Sequence, residues 1–387
     1  MRFRRALAPV AAVFLAAVVL GVAALPALSA EPMYTRQQRF GIAFVSEVPE
    51  GSGTVAQSIS DYNVSKFGVG WYSDWKYRVT PPQPPDVKLE YVQLIRVGDR
   101  VWPPNWTTVQ QAVAANPGAT WLIGNEPECP NQDAVTPETY AQRYHDAYVN
   151  ITGWDPTAQI AIGGIVEVTP LRLRWLEHAM AAYQDLYDTP MDVDVWNIHI
   201  QILTEGSDSN PLDGAGRPVG IDPVAEGLTP MEYPLTECDN ADIFKSMVLD
   251  FRQWMKDHGQ QSKPLIISET GVLQPSYYLV EPLYEGEPDE ARAERGDQAI
   301  EQFMIETFDW LLASTDDEIG CPADDDRLVQ RWLWFSLNGS FFDEAINPDG
   351  FNGSLVDYQT KQMTRFGLRF FSYQNNNKVY IPSLRKQ

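Results

Sequence analysis

The chain has 387 residues, 44% hydrophobic and 12% aromatic, enough for a sizeable core in one large domain. Its formal charge of −23 repels phosphate backbones, so no nucleic-acid partner is expected. Its four histidines are scattered without metal-ligand spacing, and neither a metal nor a cofactor is expected.

Residues 1–30 read as a signal peptide. Arg2, Arg4 and Arg5 precede the apolar run Ala11–Leu25, and Ala27, Ser29 and Ala30 suit cleavage after Ser29 or Ala30. The run is short for a bilayer span, which needs about 20 residues. The expectation is therefore secretion, with no membrane association after cleavage; a retained anchor is the alternative. Residues 31–387 read as a single domain, and a monomer is expected.

Eight candidate strands follow in order: Phe40–Ser46, Phe67–Trp75, Leu89–Gly98, Thr120–Glu126, Gln159–Ile165, Val193–Ile202, Pro264–Thr270 and Leu328–Asn338. Apolar residues three or four apart mark helices between them. Phe244, Val248, Phe251 and Met255 form such a stripe in Ala241–His258, and Ile300, Phe303, Met304, Phe308 and Leu311 in Asp297–Ala313. Regular alternation of strand and helix predicts an α/β fold with a parallel sheet, and eight units predict a (β/α)8 TIM barrel. An open doubly wound sheet would carry a Gly-rich turn after its first strand, and this chain has none. The connection Val79–Asp86 holds four prolines and cannot be helical. Long connections at Leu203–Asn240 and Gln274–Glu294 follow the sixth and seventh strands, on the end where a barrel builds its active site.

Two strands end in a glutamate. TWLIGNEPE runs into Asn125-Glu126-Pro127, and KPLIISETG runs into Glu269. Two carboxylates brought together from separate strand tips are what glycosidic cleavage with retention needs: one donates a proton to the leaving oxygen and the other attacks the anomeric carbon. At these residues the sequence resembles glycoside hydrolase clan A, retaining TIM-barrel enzymes. The resemblance implies Glu126 as general acid/base on the fourth strand and Glu269 as nucleophile on the seventh. It also implies that Asn125 holds the sugar 2-hydroxyl, and that His199, in VWNIHIQIL, lies beside the nucleophile. A protonated Glu126 needs burial or nearby negative charge to raise its pKa, whereas Glu269, among better donors, is expected to stay ionised.

Strand eight reads RWLWFSLNG and alternates Trp332 and Trp334 onto one face; Trp334 is the expected sugar-stacking platform. GWYSDW adds Trp71 and Trp75 to the expected rim. Together with EYVQLIRVG and NGSLVDYQTK, this segment is similar to the clan A family of alkali-sensitive-linkage proteins and β-1,3-glucanases, the glycosyl hydrolase catalytic core. The resemblance implies a retaining hydrolase acting on an extracellular poly- or oligosaccharide, with β-glucan favoured; the long loops after strands six and seven depart from the family.

The alternative is a carbohydrate-binding barrel without catalysis, which would lack one of the two carboxylates. A Schiff-base lyase would need a lysine at a strand tip, and Lys263 instead precedes its strand. Asn347-Pro348-Asp349-Gly350 hints at a calcium loop but lacks the alternating carboxylates and closing glutamate. Three cysteines in an exported chain allow one disulfide. Cys129 and Cys238 fall on the catalytic end and Cys321 on the opposite end, so Cys129–Cys238 is the expected pair. Cys321 is out of reach of the ~7 Å Cα limit.

Overall fold

Each of the eight predicted strands contains an observed one, and the third contains two. The computed structural model describes residues 32–46, 57–206, 217–284, 286–340 and 351–376. Residues 1–30, the expected signal segment, and Asn347–Gly350 lie outside the described residues. The strands are β1 (Phe40–Ala43), β2 (Trp71–Ser73), β3 (Glu90–Tyr91), β4 (Gln93–Ile95), β5 (Thr120–Ile123), β6 (Gln159–Ile162), β7 (Trp196–Ile200), β8 (Leu265–Thr270) and β9 (Arg331–Trp334). All ladders between them are parallel. One sheet has the order β3-β2-β1-β9-β8-β7 and the other β4-β5-β6. Only Val92 separates β3 from β4, and parallel bridges Ala161–Val195 and Ile165–Ile198 join β6 to the β7 segment.

The helices are α1 (Arg36–Arg39), α2 (Trp106–Ala115), α3 (Pro137–Trp154), α4 (Pro170–Tyr187), α5 (Pro223–Glu226), α6 (Ala241–Asp257), α7 (Asp289–Ala313) and α8 (Arg365–Asn376); they separate the strands from β4 onward, whereas β1 to β4 follow one another without an α-helix. α3 and α4 begin alike: Thr136 and Thr169 cap free N–H groups, and a proline takes the first helical position. α6 matches its predicted span within a residue, whereas α7 starts eight residues earlier than predicted. Its first turns are charged rather than apolar, so hydrophobic periodicity does not mark them.

Strand alternation sorts the core into two parts. Phe40, Ile42, Trp332 and Trp334 join the large cluster shared with the helices. Ala43, Trp71, Val92, Leu94, Leu122, Ala161, Val195, Ile266 and Leu333 form a second cluster with contributions from all around the strand order. The Trp71 ring fills the space beside Gly41, where a Cβ would sit 2.4 Å from it. Trp71 is fully buried, and Arg331 lies over its ring at 4.7 Å. It packs within the strands and is not a rim residue.

Cys129, Cys238 and Cys321 are all free and buried, so the expected Cys129–Cys238 bond is not formed. Cys129 packs with Val166 and Leu203, while Cys238 belongs to the large cluster shared with the helices. Strands four and six of the predicted order are not neighbours, and the two thiols serve separate packing units.

Candidate active site

Asn125 and Glu126 leave β5 through a backbone that only a well-braced chain adopts. Glu126 has φ 46°, the left-handed region, which costs about 1–3 kcal/mol for a residue with a Cβ. Its N–H donates to Gly164 O at 2.9 Å, and Cys129 N–H returns to Glu126 O at 3.0 Å. Asp133, paired with Arg96, accepts from Asn125 N at 2.8 Å and Val97 N at 3.0 Å. Trp75 after β2 and Ile202 after β7 are left-handed too, so three strand tips turn sharply at this end.

From β7 onward, alternation turns Asn197, His199 and Gln201 to one face, while Trp196, Ile198, Ile200 and Ile202 enter the large cluster. On β8 strict alternation would aim Ser268 and Glu269 apart. The register shifts there: Ile198 opposes Ile267, and His199 opposes Glu269. Bulges of this kind re-aim a side chain. Here Ser268 and Glu269 both reach the cluster around His199.

One atom each from Glu126, His199 and Glu269 lies within 4.8 Å of the others, and all three residues are buried. His199 Nδ1 is 3.0 Å from Glu126 Oε1 and 3.8 Å from Glu269 Oε2, and Nε2 is 3.0 Å from Ser268 Oγ. Trp75 Nε1 donates to Glu269 Oε1 at 2.5 Å and Gln201 Nε2 to Oε2 at 3.1 Å. Among the described residues this is the one such trio that could reach a metal ion. Its ring nitrogens and the Glu269 oxygens are already in hydrogen bonds, an arrangement suited to proton transfer. Glu126 Oε2 and Asn125 Oδ1 are buried without a partner among the described residues, free to meet a substrate hydroxyl or leaving oxygen.

The electrostatics differ from the sequence expectation. Burial pushes the Glu126 pKa up, but the hydrogen bond and charge of His199 outweigh it and hold the carboxyl below its ordinary value. Burial opposes the charged His199 ring, but Glu269 and Glu126 outweigh that and raise its pKa. Burial raises Glu269, and Glu126 adds to it against His199, Trp75 and Gln201. The reason is the histidine. Placed between two carboxylates, it competes with Glu126 for the proton that the sequence assigns to Glu126 alone.

Trp75, Asn125 and His199 thus gather with Glu126 and Glu269, and Trp71 and Trp334 do not. Trp334 is fully buried, donates to Gly353 O at 2.9 Å and packs edge-on against Phe308 of α7. Trp332 and Trp334 do share a face, but it is the helix-facing one. The next residue, Phe335, lies on the other face, 5.6 Å from the Trp75 ring. Gln201 and Ser268 were not singled out from the sequence. The spacing of Asn197, His199 and Gln201 carries the signal for Gln201; Ser268 depends on the bulge.

A cavity of about 800 Å³ adjoins the trio, with Trp75 as its shared wall and Tyr77, Arg96 and Asn105 among its lining. Neither Glu126 nor Glu269 is among its lining residues. Behind Glu126 sits a second buried group. Arg172 Nη1 donates to Glu128 Oε1 at 2.7 Å, Glu205 Oε2 accepts from Met231 N at 2.7 Å, and Glu167 Oε2 accepts from Leu203 N at 2.9 Å. It ties the turn after Glu126 to the long connection after β7. Burial pushes the Glu167 carboxyl up to about 8.

Residues 41–209 match the family described as Glycosyl hydrolase catalytic core. No curated protein matches the chain in sequence. Among solved structures, it is similar to a glycoside hydrolase family 128 (subgroup II) endo-β-1,3-glucanase from Pseudomonas viridiflava. The identity is 16%, over 86% of this chain and 97% of that one, with a TM-score of 0.51. A subgroup II endo-β-1,3-glucanase from Sorangium cellulosum gives 14% identity, 86% and 98% coverage and a TM-score of 0.49. A subgroup III curdlan-specific exo-β-1,3-glucanase from Blastomyces gilchristii gives 15%, 86%, 97% and 0.48. The first of these shows a shared fold. The match over residues 41–209, less than half of the chain, makes it similar to the glycosyl hydrolase catalytic core family and supports a glycoside hydrolase.

Proposed function

We propose that the chain is a secreted β-glucan hydrolase that works with retention by double displacement on a closed (β/α)8 barrel. The observation that carries the mechanism is the separation of the two glutamates: a carboxylate oxygen of each lies within 4.8 Å of the other's. Retaining enzymes hold the two groups about 5–5.5 Å apart, and inverting ones about 6.5–9.5 Å. Closure is supported by Val92, which passes directly from the β2 partner to the β5 partner, and by the bridges between β6 and the β7 segment. Secretion is supported by the charged start, apolar run and small residues of 1–30.

In this reading Glu269 attacks the anomeric carbon, held in place by the Trp75 and Gln201 donors. Glu126 delivers a proton to the departing glycosidic oxygen, and a glycosyl ester forms on Glu269. Glu126 then takes a proton from the water that attacks the same carbon, and the ester breaks to return the Glu269 carboxylate. Asn125, with its free Oδ1, receives the 2-hydroxyl. His199 shares the working proton with Glu126. β-1,3-Glucan is the substrate we favour, on the resemblance of the Trp71–Trp75 segment and the C-terminal segment to the β-1,3-glucanase family; the Pseudomonas viridiflava enzyme is named for that linkage.

The test is activity on a panel of β-1,3-glucan, other glucans, mannan, galactan and xylan, followed by labelling with a 2-deoxy-2-fluoro glycoside and peptide mapping. The expected results are cleavage of β-1,3-glucan and a label on the peptide containing Glu269. A label elsewhere, or no cleavage of any polymer, contradicts the reading.

A further inference from the structure

The hydroxyl of Ser268 has one hydrogen-bond partner among the described residues, His199 Nε2 at 3.0 Å. The position is built rather than incidental. The β8 bulge lets Ser268 share a face with Glu269. Asn197 Oδ1 accepts from Ser268 N at 3.2 Å, while its own Nδ2 donates to Ile162 O at 3.2 Å. At the same edge of the ring, Gly164 leaves the space: a Cβ there would sit 2.4 Å from His199 Nε2. The imidazole is thus clamped in one orientation, Nδ1 on the acid/base and Nε2 on a serine.

We propose that Ser268 is a positioning residue that decides which nitrogen of His199 carries a proton and so loads Glu126 for acid catalysis. The inference rests on the roles proposed above for Glu126 and Glu269. The chemistry follows from counting protons. When the Glu126–His199 pair holds its working proton, Glu126 and Nδ1 share it, and Nε2 also carries a hydrogen that needs an acceptor. Ser268 Oγ is that acceptor. After Glu126 has given the proton away, the hydrogen on Nε2 keeps its bond to Ser268 Oγ, and Nδ1 is left bare to share the next proton that Glu126 takes from water. The serine thus keeps the remaining hydrogen off Nδ1. An alanine cannot accept it and leaves a buried N–H unpaired. That costs more on a charged or charge-sharing ring than on a neutral one, so loss of the hydroxyl disfavours the loaded state.

The charged groups around His199 are Glu126 after β5, Glu269 on β8 and Glu128 behind them, with Arg172 and Arg217 acting on Glu126. Ser268→Ala leaves all of these in place. The experiment is the pH profile of kcat/KM on an aryl β-glucoside or laminarin fragment, alongside a 15N titration of the His199 ring. The expected result is an alkaline limb lowered by about one pH unit, an unmoved acid limb, and a matching fall in the His199 midpoint. Should Ser268→Ala not fold, Ser268→Cys, with its weak acceptor, is read the same way. A uniform loss at every pH with both limbs in place would mean a structural serine and overturn the proposal. If the wild type cleaves no glycoside, the functional reading fails by itself, and the ring titration still decides the role of Ser268.

Discussion

Two buried carboxylate clusters lie back to back in this molecule, and they differ in the cation each contains. In front, Glu126 and Glu269 face His199; behind, Glu128, Glu167 and Glu205 gather around Arg172. Both are buried, and Glu126 and Glu128 are two residues apart. A guanidinium never gives up its proton in a protein, whereas an imidazole exchanges one near neutrality. Arg172 can therefore only hold the loop after β7 in place, while His199 can load and unload a proton beside Glu126. Burial alone does not make a carboxylate catalytic. The partner does.

The largest effect expected from breaking the front cluster is that of Glu269→Ala, which removes the proposed nucleophile and should lower kcat on the order of 10⁵-fold or more. Glu126→Ala should cost about 10²–10⁴-fold on substrates with a poor leaving group. It should spare the first step for activated aryl glycosides, and azide should rescue the second step by replacing activated water. Equal, unrescued losses in the two variants would contradict the division of roles.

Breaking the rear cluster should act on stability instead. Arg172→Met leaves buried carboxylates uncompensated and should destabilise by about 3–5 kcal/mol in chemical denaturation, with kcat of the folded fraction close to wild type. A collapse of kcat at full folding would mean that the two clusters are one catalytic unit.

Glu167 sharpens the contrast through pH. Its pKa rises on folding from an ordinary value of 4.5 to about 8. Between those values the native state keeps a proton that the unfolded state has lost. The contribution of Glu167 to stability is therefore intact below pH 4.5, falls as pH rises, and reaches its full cost above pH 8. Glu167→Gln should remove that slope and gain on the order of a few kcal/mol at pH 8. A slope unchanged from wild type in urea titrations between pH 5 and 8 would refute this.

The smallest effects separate the tryptophans. Trp75→Phe keeps the ring but removes the donor to Glu269, and should lower kcat about tenfold. Trp334→Phe should cost about 1–2 kcal/mol of stability and leave KM unchanged, because its ring packs on Phe308. A rise in KM for Trp334→Phe would restore it as a sugar platform.

Those tryptophans also show what could be read in the sequence. Apolar runs ending in Glu126 and Glu269 announce buried strands with polar tips, because little but chemistry places a carboxylate there; both emerge at one site. Alternation correctly groups Trp332 with Trp334 but cannot say which face turns toward the helices, so Trp334 was assigned to the wrong side. The bulge at Ser268 is invisible in a period-two pattern, since it exists only as a register between two strands. The proton on His199 depends on two carboxylates distant in sequence. Cys129 and Cys238 share an end of the fold without sharing a packing unit, a distinction that spacing does not carry.

The measurement that tests the account most directly is proton NMR of the first sugar released from a β-1,3-gluco-oligosaccharide, followed before mutarotation sets in. With Glu126 and Glu269 acting in double displacement, the β-anomer appears first and the α-anomer grows in later. Initial release of the α-anomer would require inversion and contradict the roles assigned to the two glutamates.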